Sequence, residues 1–296
     1  MKEIVVISGK GGAGKTSFAA GFSRLTGKNA VLVDADVDAA DLSLLMDSKI
    51  LKKNEFKGLP TPVVDMDKCT KCGKCVELCR FDAISPDIKI DTLLCEGCQV
   101  CYNFCPEEAI SLKECPMGEW YVSETPYGPL VHAKLDPGGE NSGLLVSIVR
   151  KSGKALARDM KKDFIITDGP PGIGCSVISS LTGADFVCVV VEATVSGVHD
   201  MERVMELVDF LDIPSAVLIN KYDLNLAACS SLEEKLGQQG IPVIGKFPYD
   251  EVFYRAILQK KTIPDMKDVT PYIHDSFEKA WNHLVSLVSK VGQNLS

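Results

Sequence analysis

Three sets of residues have types and spacings that can do chemistry. Gly9-Lys10-Gly11-Gly12-Ala13-Gly14-Lys15-Thr16-Ser17 fits the pattern G-x-x-x-x-G-K-T. Its glycines let backbone N–H groups curl around phosphate oxygens, and the start of a following helix adds a favourable dipole. Lys15 would neutralise phosphate charge and Thr16 would offer its hydroxyl to Mg²⁺. The second set is acidic: Asp34 and Asp36 in Val33-Asp34-Ala35-Asp36, and Asp168 just before Gly169-Pro170-Pro171-Gly172. Carboxylates at the ends of strands beside a phosphate loop stand where Mg²⁺ and an attacking water need them. The third set is sulfur. Cys69-x-x-Cys72-x-x-Cys75-x-x-x-Cys79 and Cys95-x-x-Cys98-x-x-Cys101-x-x-x-Cys105-Pro106 offer thiolates at spacings that suit iron–sulfur cubanes or tetrahedral zinc.

These residues need a scaffold, and the apolar runs supply one. Ile4–Ile7, Ala30–Val33, Phe164–Thr167, Phe186–Val191, Ala216–Ile219 and Ile241–Ile244 read as buried parallel strands. Helical patterns over Thr16–Leu25, Asp200–Leu211, Leu226–Gln238 and Glu251–Gln259 separate several of them. Alternation of this kind predicts an α/β fold with right-handed crossovers and a parallel sheet covered on both faces. Pro271–Val291 places Ile273, Phe277, Trp281, Leu284 and Val288 on one side of a helix. The alternation fails over 54–114, where eight cysteines and short polar turns replace the strands. Cys69–Ser85 and Cys95–Ser111 repeat each other, each closing on Ala-Ile-Ser. The expected organisation is therefore a phosphate-loop domain, 1–53 and 115–296, interrupted by a small α+β domain. Residues 115–143, rich in Pro and Gly, are expected to lead back to the main domain.

Composition narrows the function classes. The chain has 296 residues, 46% of them apolar, and a formal net charge of −8. Its pI near 5.2 argues against a surface built to hold nucleic acid or anionic lipid. Twelve cysteines in a chain too long to need stapling point to a reducing, cytoplasmic setting where thiols remain available as ligands. MKEIVVISGK is too short an apolar run for a signal peptide, and no stretch approaches the roughly 20 apolar residues that span a bilayer.

The phosphate loop also carries a resemblance. Lys10 within Lys-Gly-Gly-Ala-Gly-Lys-Thr is similar to the deviant Walker A motif of the MinD/ParA ATPases, a group that includes the nitrogenase iron protein and Mrp-type iron–sulfur carriers. The resemblance implies an ATP hydrolase, cleaving a phosphoanhydride bond, that forms a homodimer on binding MgATP, with Lys10 reaching the partner's phosphates. It further implies that Asp36 orients or activates the water, Asp34 assists Mg²⁺, and Asp168 is the Walker B acid. The loop from Gly169 to Cys175 would sense the γ-phosphate. Asn220-Lys221-Tyr222-Asp223 resembles a base-reading N-K-x-D sequence, with Asn220 and Asp223 toward the base. Pro248-Tyr249-Asp250 would be a second base-contacting loop. The family implies ATP, whereas the residues alone also admit GTP.

The cysteine repeats resemble two-cluster bacterial ferredoxins. In that pattern the fourth cysteine of each run serves the other cluster. Cys69, Cys72, Cys75 and Cys105 are then expected to hold one [4Fe–4S] cluster, and Cys95, Cys98, Cys101 and Cys79 the second. Arg80 follows Cys79 where proline usually sits. With both clusters the net charge falls to roughly −12.

Of the remaining cysteines, Cys188 and Cys229 read as small core residues. Cys175 lies seven positions after Asp168, an offset similar to that of a cluster cysteine in the nitrogenase iron protein. It reads either as a ligand to a dimer-bridging cluster, with Cys115 a distant second candidate, or as an ordinary thiol. His132, His199, His274 and His283 show no ligand spacing. The last helix lacks the basic face of a membrane anchor. The leading expectation is an ATPase coupled to iron–sulfur redox chemistry, serving cofactor assembly or electron delivery to a partner protein, with neither nucleic acid nor membrane as partner. The alternatives are a ParA/MinD-like positioning ATPase with structural or sensory clusters, and a carrier of a dimer-bridging cluster.

Overall fold

A computed structural model describes residues 1–137, 139 and 141–291. Strand β1 (Lys2–Ser8) enters helix α1 (Lys15–Leu25); β2 (Ala30–Asp34) is followed by the short α2 (Leu42–Leu45) and by β3 (Lys49–Lys57). Next come β4 (Thr61–Val64), α3 (Lys74–Leu78), α4 (Val100–Asn103), β5 (Ile110–Lys113), β6 (Pro116–Thr125), β7 (Gly128–Leu135) and α5 (Ser142–Asp159). The chain then alternates through β8 (Phe164–Pro171), α6 (Cys175–Leu181), β9 (Phe186–Glu192), α7 (Val195–Phe210), β10 (Ser215–Asn220), α8 (Leu226–Gln238) and β11 (Val243–Phe247). It ends in α9 (Val252–Leu258) and α10 (Pro271–Lys290).

Contacts divide the chain into two compact units. The first comprises Met1–Lys53, Trp120–Lys134 and Ser142–Ser296; the second comprises Asn54–Glu119 and Leu135–Asn141. Among the described residues one sheet has the order β11-β10-β9-β1-β8-β2-β7-β6-β3. The pairs from β11 through to β7 are parallel, so the fold is α/β with a mostly parallel central sheet. Its central strands are apolar runs because helices cover both faces: Ile4 to Ile7 and Val187 to Val190 are all fully buried. The β1–α1–β2 and β8–α6–β9 connections bring the ends of β1, β2 and β8 together, and these ends carry the phosphate loop, Asp34 and Asp168.

Helix α10 packs its expected stripe inward, with Ile273, Phe277, Trp281, Leu284 and Val288 all buried. Phe277 stacks on Phe18 at 5.3 Å between ring centres and meets Phe247 edge-on at 4.8 Å. Each such burial is worth about 1.5–3 kcal/mol. Gly21 allows the approach, since a Cβ there would lie 2.5 Å from the Phe277 ring. No described helix is long and apolar enough to cross a membrane.

Several segments differ from expectation, among them β3, α5 and α6, which the apolar pattern did not mark, and β8, which runs on through Gly169–Pro171. Residues 115–143 are not a plain return; they contain β6, β7 and the start of α5. Helix α7 starts five residues before Asp200 because the Thr194 hydroxyl accepts the Gly197 N–H and caps it. Strand β11 starts at Val243, just past Pro242, rather than at Ile241.

In the second unit β4 and β5 pair antiparallel, Thr61 opposite Lys113 and Val64 opposite Ile110. The sequence repeat is also a backbone repeat. Lys71, Gly73 and Asp82 have positive φ, and so do Gly97, Gln99 and Glu108, each 26 positions later. Each half turns into a short helix, α3 or α4, directly after its left-handed residue Gly73 or Gln99. Ile84, Cys101 and Ile110 form a small core with Val64, Val76 and Ile90.

Candidate functional site

Gly12 and Gly14 have φ values of +83° and +101°, conformations that side-chain-bearing residues rarely adopt. A Cβ on Gly14 would also meet the Asn220 amide at 2.7 Å. Between them, Ala13 offers its carbonyl to Asn220 Nδ2 at 2.8 Å. Asn220 is thus buried beneath the phosphate loop and holds its curve from below. Lys15 opens α1 and reaches back to Asp36, Nζ to Oδ2 at 2.7 Å. Burial alone would lower the Lys15 pKa, but Asp168, Asp36 and Asp34 outweigh it and hold it above its ordinary value.

The three aspartates are partnered differently. Asp34 is fully buried, and its two oxygens accept the N–H groups of Asp36 (3.2 Å) and Leu42 (3.1 Å). Burial first, then the Asp168 and Asp36 charges, push its pKa far above the usual carboxylate range. Asp168 accepts a hydrogen bond from Thr16, but its Oδ1 is buried with no partner among the described residues. Burial lifts its pKa to about 6 against the opposing pull of Lys15 and Thr16. A carboxylate oxygen orphaned beside the Thr16 hydroxyl, with a lysine close by, fits a divalent cation and phosphate. Thr16 and Asp168 are therefore suited to Mg²⁺, while both Asp34 oxygens are committed to the loop that presents Asp36.

Lys10 is placed apart from this cluster. Its ammonium is exposed and, among the described residues, hydrogen-bonds only the Ser196 hydroxyl, at 3.4 Å. Asp223 Oδ1 accepts the Tyr249 N–H at 2.7 Å, which brings the Asn220–Asp223 turn against the Pro248–Tyr249–Asp250 loop. Sequence reasoning passed over Glu192 and Lys221. Lys221 Nζ bonds both Glu192 (2.7 Å) and the Gly12 carbonyl (3.2 Å), and the two side chains line a cavity of about 500 Å³ with Gly9 to Ala13. One signal was available: Glu192 ends a buried strand, as Asp34 does.

All twelve cysteines are free thiols. In the second unit they are sorted across the repeat. Cys69, Cys72, Cys75 and Cys105 line one cavity, and Cys79, Cys95, Cys98 and Cys101 line another. The Ala109 N–H points at Cys105 Sγ, 3.3 Å away. Four thiols around a cavity, one of them receiving a backbone N–H, suit a cubane, whose potential such bonds tune. Among the described residues no three His, Cys, Asp or Glu side chains are grouped to hold a single metal ion. Cys115 Sγ lies 3.2 Å from the Thr61 hydroxyl. In the first unit Cys188 is fully buried, its thiol pushed up to about 12 by burial, and Cys229 is buried too. Cys175 is exposed at the first turn of α6.

The chain is 36% identical over 226 residues to an uncharacterized protein of Methanocaldococcus jannaschii, covering 75% of this chain and 79% of that one. Over 54 residues it is 43% identical to pyruvate synthase subunit PorD of the same organism, 17% of this chain and 63% of that subunit. Its fold matches the septum site-determining protein MinD of Pyrococcus horikoshii, solved with Mg-ADP, at a TM-score of 0.61 and 18% identity, over 98% of each chain. The description of the CobQ/CobB/MinD/ParA nucleotide-binding domain fits residues 4–263. With its phosphate loop, its mostly parallel sheet and that match, the chain belongs to the CobQ/CobB/MinD/ParA nucleotide-binding family.

Proposed function

We propose that this member of the family is a MgATP-dependent, dimerising ATPase whose nucleotide cycle is coupled to iron–sulfur redox chemistry, delivering electrons or assembling a metal cofactor for a partner protein. The observation that carries the reading is the pair of four-cysteine cavities in a chain that also builds a phosphate loop. Each cavity draws its fourth cysteine from the other half of the repeat, the arrangement expected of two-cluster ferredoxins. The 54-residue likeness to PorD supports it. We take 54–114 as the inserted cluster-binding domain and 1–53 with 115–296 as the ATPase. Cys69, Cys72, Cys75 and Cys105 would hold one [4Fe–4S] cluster, and Cys79, Cys95, Cys98 and Cys101 the other. When bound, the clusters supply one-electron transfer.

In the ATPase, Gly9 and Gly11 to Ser17 would cradle the phosphates and Lys15 would neutralise negative charge on the β- and γ-phosphates. Thr16 and Asp168 would hold Mg²⁺, with Asp34 fixing the Asp36 backbone. Lys15 now pairs with Asp36; on binding phosphate it would release that carboxylate to orient water. Lys10, exposed, is free to reach a second copy's phosphates, which makes hydrolysis wait for the dimer. Asn220, Asp223 and Pro248 would border the base.

Anaerobically purified protein tests the coupling. Its MgATPase should fall to background in Lys15→Ala, and should shift on reduction of the clusters or on their loss in Cys-to-Ser variants. A turnover rate indifferent to both cluster reduction and cluster loss would overturn the coupling and leave an ATPase with structural clusters.

A further inference from the structure

A second charged site lies in the first unit, between α5 and α6. Ser147, Arg150, Lys151, Lys154 and Arg158 on α5, facing Ser179 and Thr182, line a groove of about 930 Å³. Buried Arg150 builds its wall. Nε and Nη2 grip both oxygens of Glu3 at 2.8 and 2.7 Å, and Nη1 donates to the Ser179 and Thr182 carbonyls at 2.6 and 2.9 Å. The C-terminal end of α6 is thereby fixed to α5. Lys154 adds a second contact to Glu3 at 2.8 Å and one to the Gly183 carbonyl. Two of the four cations, Arg150 and Lys154, thus share one carboxylate, and among the described residues Lys151 and Arg158, both exposed, have no ion-pair partner. No carboxylate appears on α5 until Asp159, nor on α6. In a chain of net charge −8 this groove is locally positive.

We propose that this groove docks an extended acidic segment of a partner protein. The spacing favours that occupant. The two cations without an ion-pair partner among the described residues, Lys151 and Arg158, are seven residues apart, about 10.5 Å along the helix, between the ~6.7 and ~13 Å that separate same-face side chains two and four residues apart in an extended chain and within reach of these long side chains. From Ser147 to Arg158 the groove runs about 17 Å, room for about five extended residues and too long for one phosphate group. Its lining has no aromatic ring on which a nucleic-acid base could stack, and the protein's overall charge repels a long polyanion. This site is separate from the phosphate loop, so its occupancy can be read without reference to nucleotide.

Fluorescence anisotropy with the labelled hexapeptide Asp-Ser-Glu-Ser-Asp-Ser tests it, using the full-length protein at low salt. The peptide should bind, should weaken as salt rises, and should bind the double variant Lys151→Glu/Arg158→Glu at least about tenfold more weakly. Both side chains are exposed, so an unchanged urea midpoint shows that the variant is folded. Absence of binding, equal binding to the variant, or tighter binding of a thymidine oligonucleotide of equal charge would each overturn the proposal.

Discussion

Asp34, the last residue of β2, and Asp168, three residues before the end of β8, stand opposite each other in register on these adjacent parallel strands. Both are buried, yet one carboxylate accepts two backbone N–H groups and the other keeps an oxygen without a partner. Two aspartates that look alike in sequence are thus set to different tasks, one holding a loop and one facing the phosphate site.

The contrast predicts different losses. Asp168→Asn should lower Mg²⁺-dependent turnover by about 10²–10³-fold while leaving the thermal midpoint nearly intact, because it removes charge and little packing. Asp34→Ala should lower stability as well, by about 1–3 kcal/mol, since it strips the Asp36 and Leu42 N–H groups of their acceptor. Paired ATPase and urea-unfolding measurements distinguish the two; equal stability losses would contradict the assignment.

Lys10 and Lys15 should separate binding from hydrolysis. Lys15 lies inside the phosphate loop, so Lys15→Ala should abolish MgATP binding by isothermal titration. Lys10→Ala should retain binding and remain monomeric with MgATP in light scattering, with turnover down about 100-fold. A dimeric, active Lys10→Ala protein would remove the reason given for dimerisation.

The proposed cluster sets cross the repeat, which can be counted. Wild type should carry about eight irons per chain, from two [4Fe–4S] clusters. Cys105→Ser and Cys79→Ser should each lose about four, and their reduced EPR spectra should each retain a different single cluster. Loss of the cluster in the mutated cysteine's own half of the repeat would refute the crossed assignment.

Phe277 joins α10 to α1 through Phe18 and to β11 through Phe247. Phe277→Ala should cost about 3–5 kcal/mol in urea unfolding, a far larger effect than truncating the exposed Tyr272 one turn earlier.

His132 gives a pH signature. It is buried, bonded to Ser123 at 2.8 Å, and burial lowers its pKa to about 4. A base whose folded pKa lies below its unfolded value of 6.5 resists protonation in the fold. Its contribution is complete above pH 6.5 and is lost as pH falls from there toward 4. His132→Gln, neutral throughout, should lose less stability than wild type between pH 7 and 4.5; parallel urea midpoints at the two pH values measure the difference.

Strands β1, β2, β8, β9, β10 and β11 were legible because two-sided burial writes continuous apolar runs, and α8 occupies the residues its pattern marked, whereas α5 and α6 were not marked. Strand β3, Lys-Ile-Leu-Lys-Lys-Asn-Glu-Phe-Lys, did not read as a strand because it lies at the end of the sheet, where lysines replace a buried apolar run. Strands β6 and β7 were hidden for a related reason, their ends marked by Pro116, Gly118 and Gly128. Helix α7 was placed late because its first turn, Val195-Ser196-Gly197, carries little periodic signal and owes its start to the Thr194 cap.

The sequence by itself determined the chemistry available: a phosphate loop between a strand and a helix, acids at strand ends, and two cysteine runs repeating each other. These are local, because glycine placement and ligand spacing act within a few residues. Tertiary structure decided which Asp168 oxygen is left without a partner and placed Asn220 under Ala13. It set Lys15 against Asp36, drew Cys105 to the first cysteine trio and Cys79 to the second, and tied Arg150 to Glu3. Each of these joins positions distant along the chain, and only folding fixes such distances.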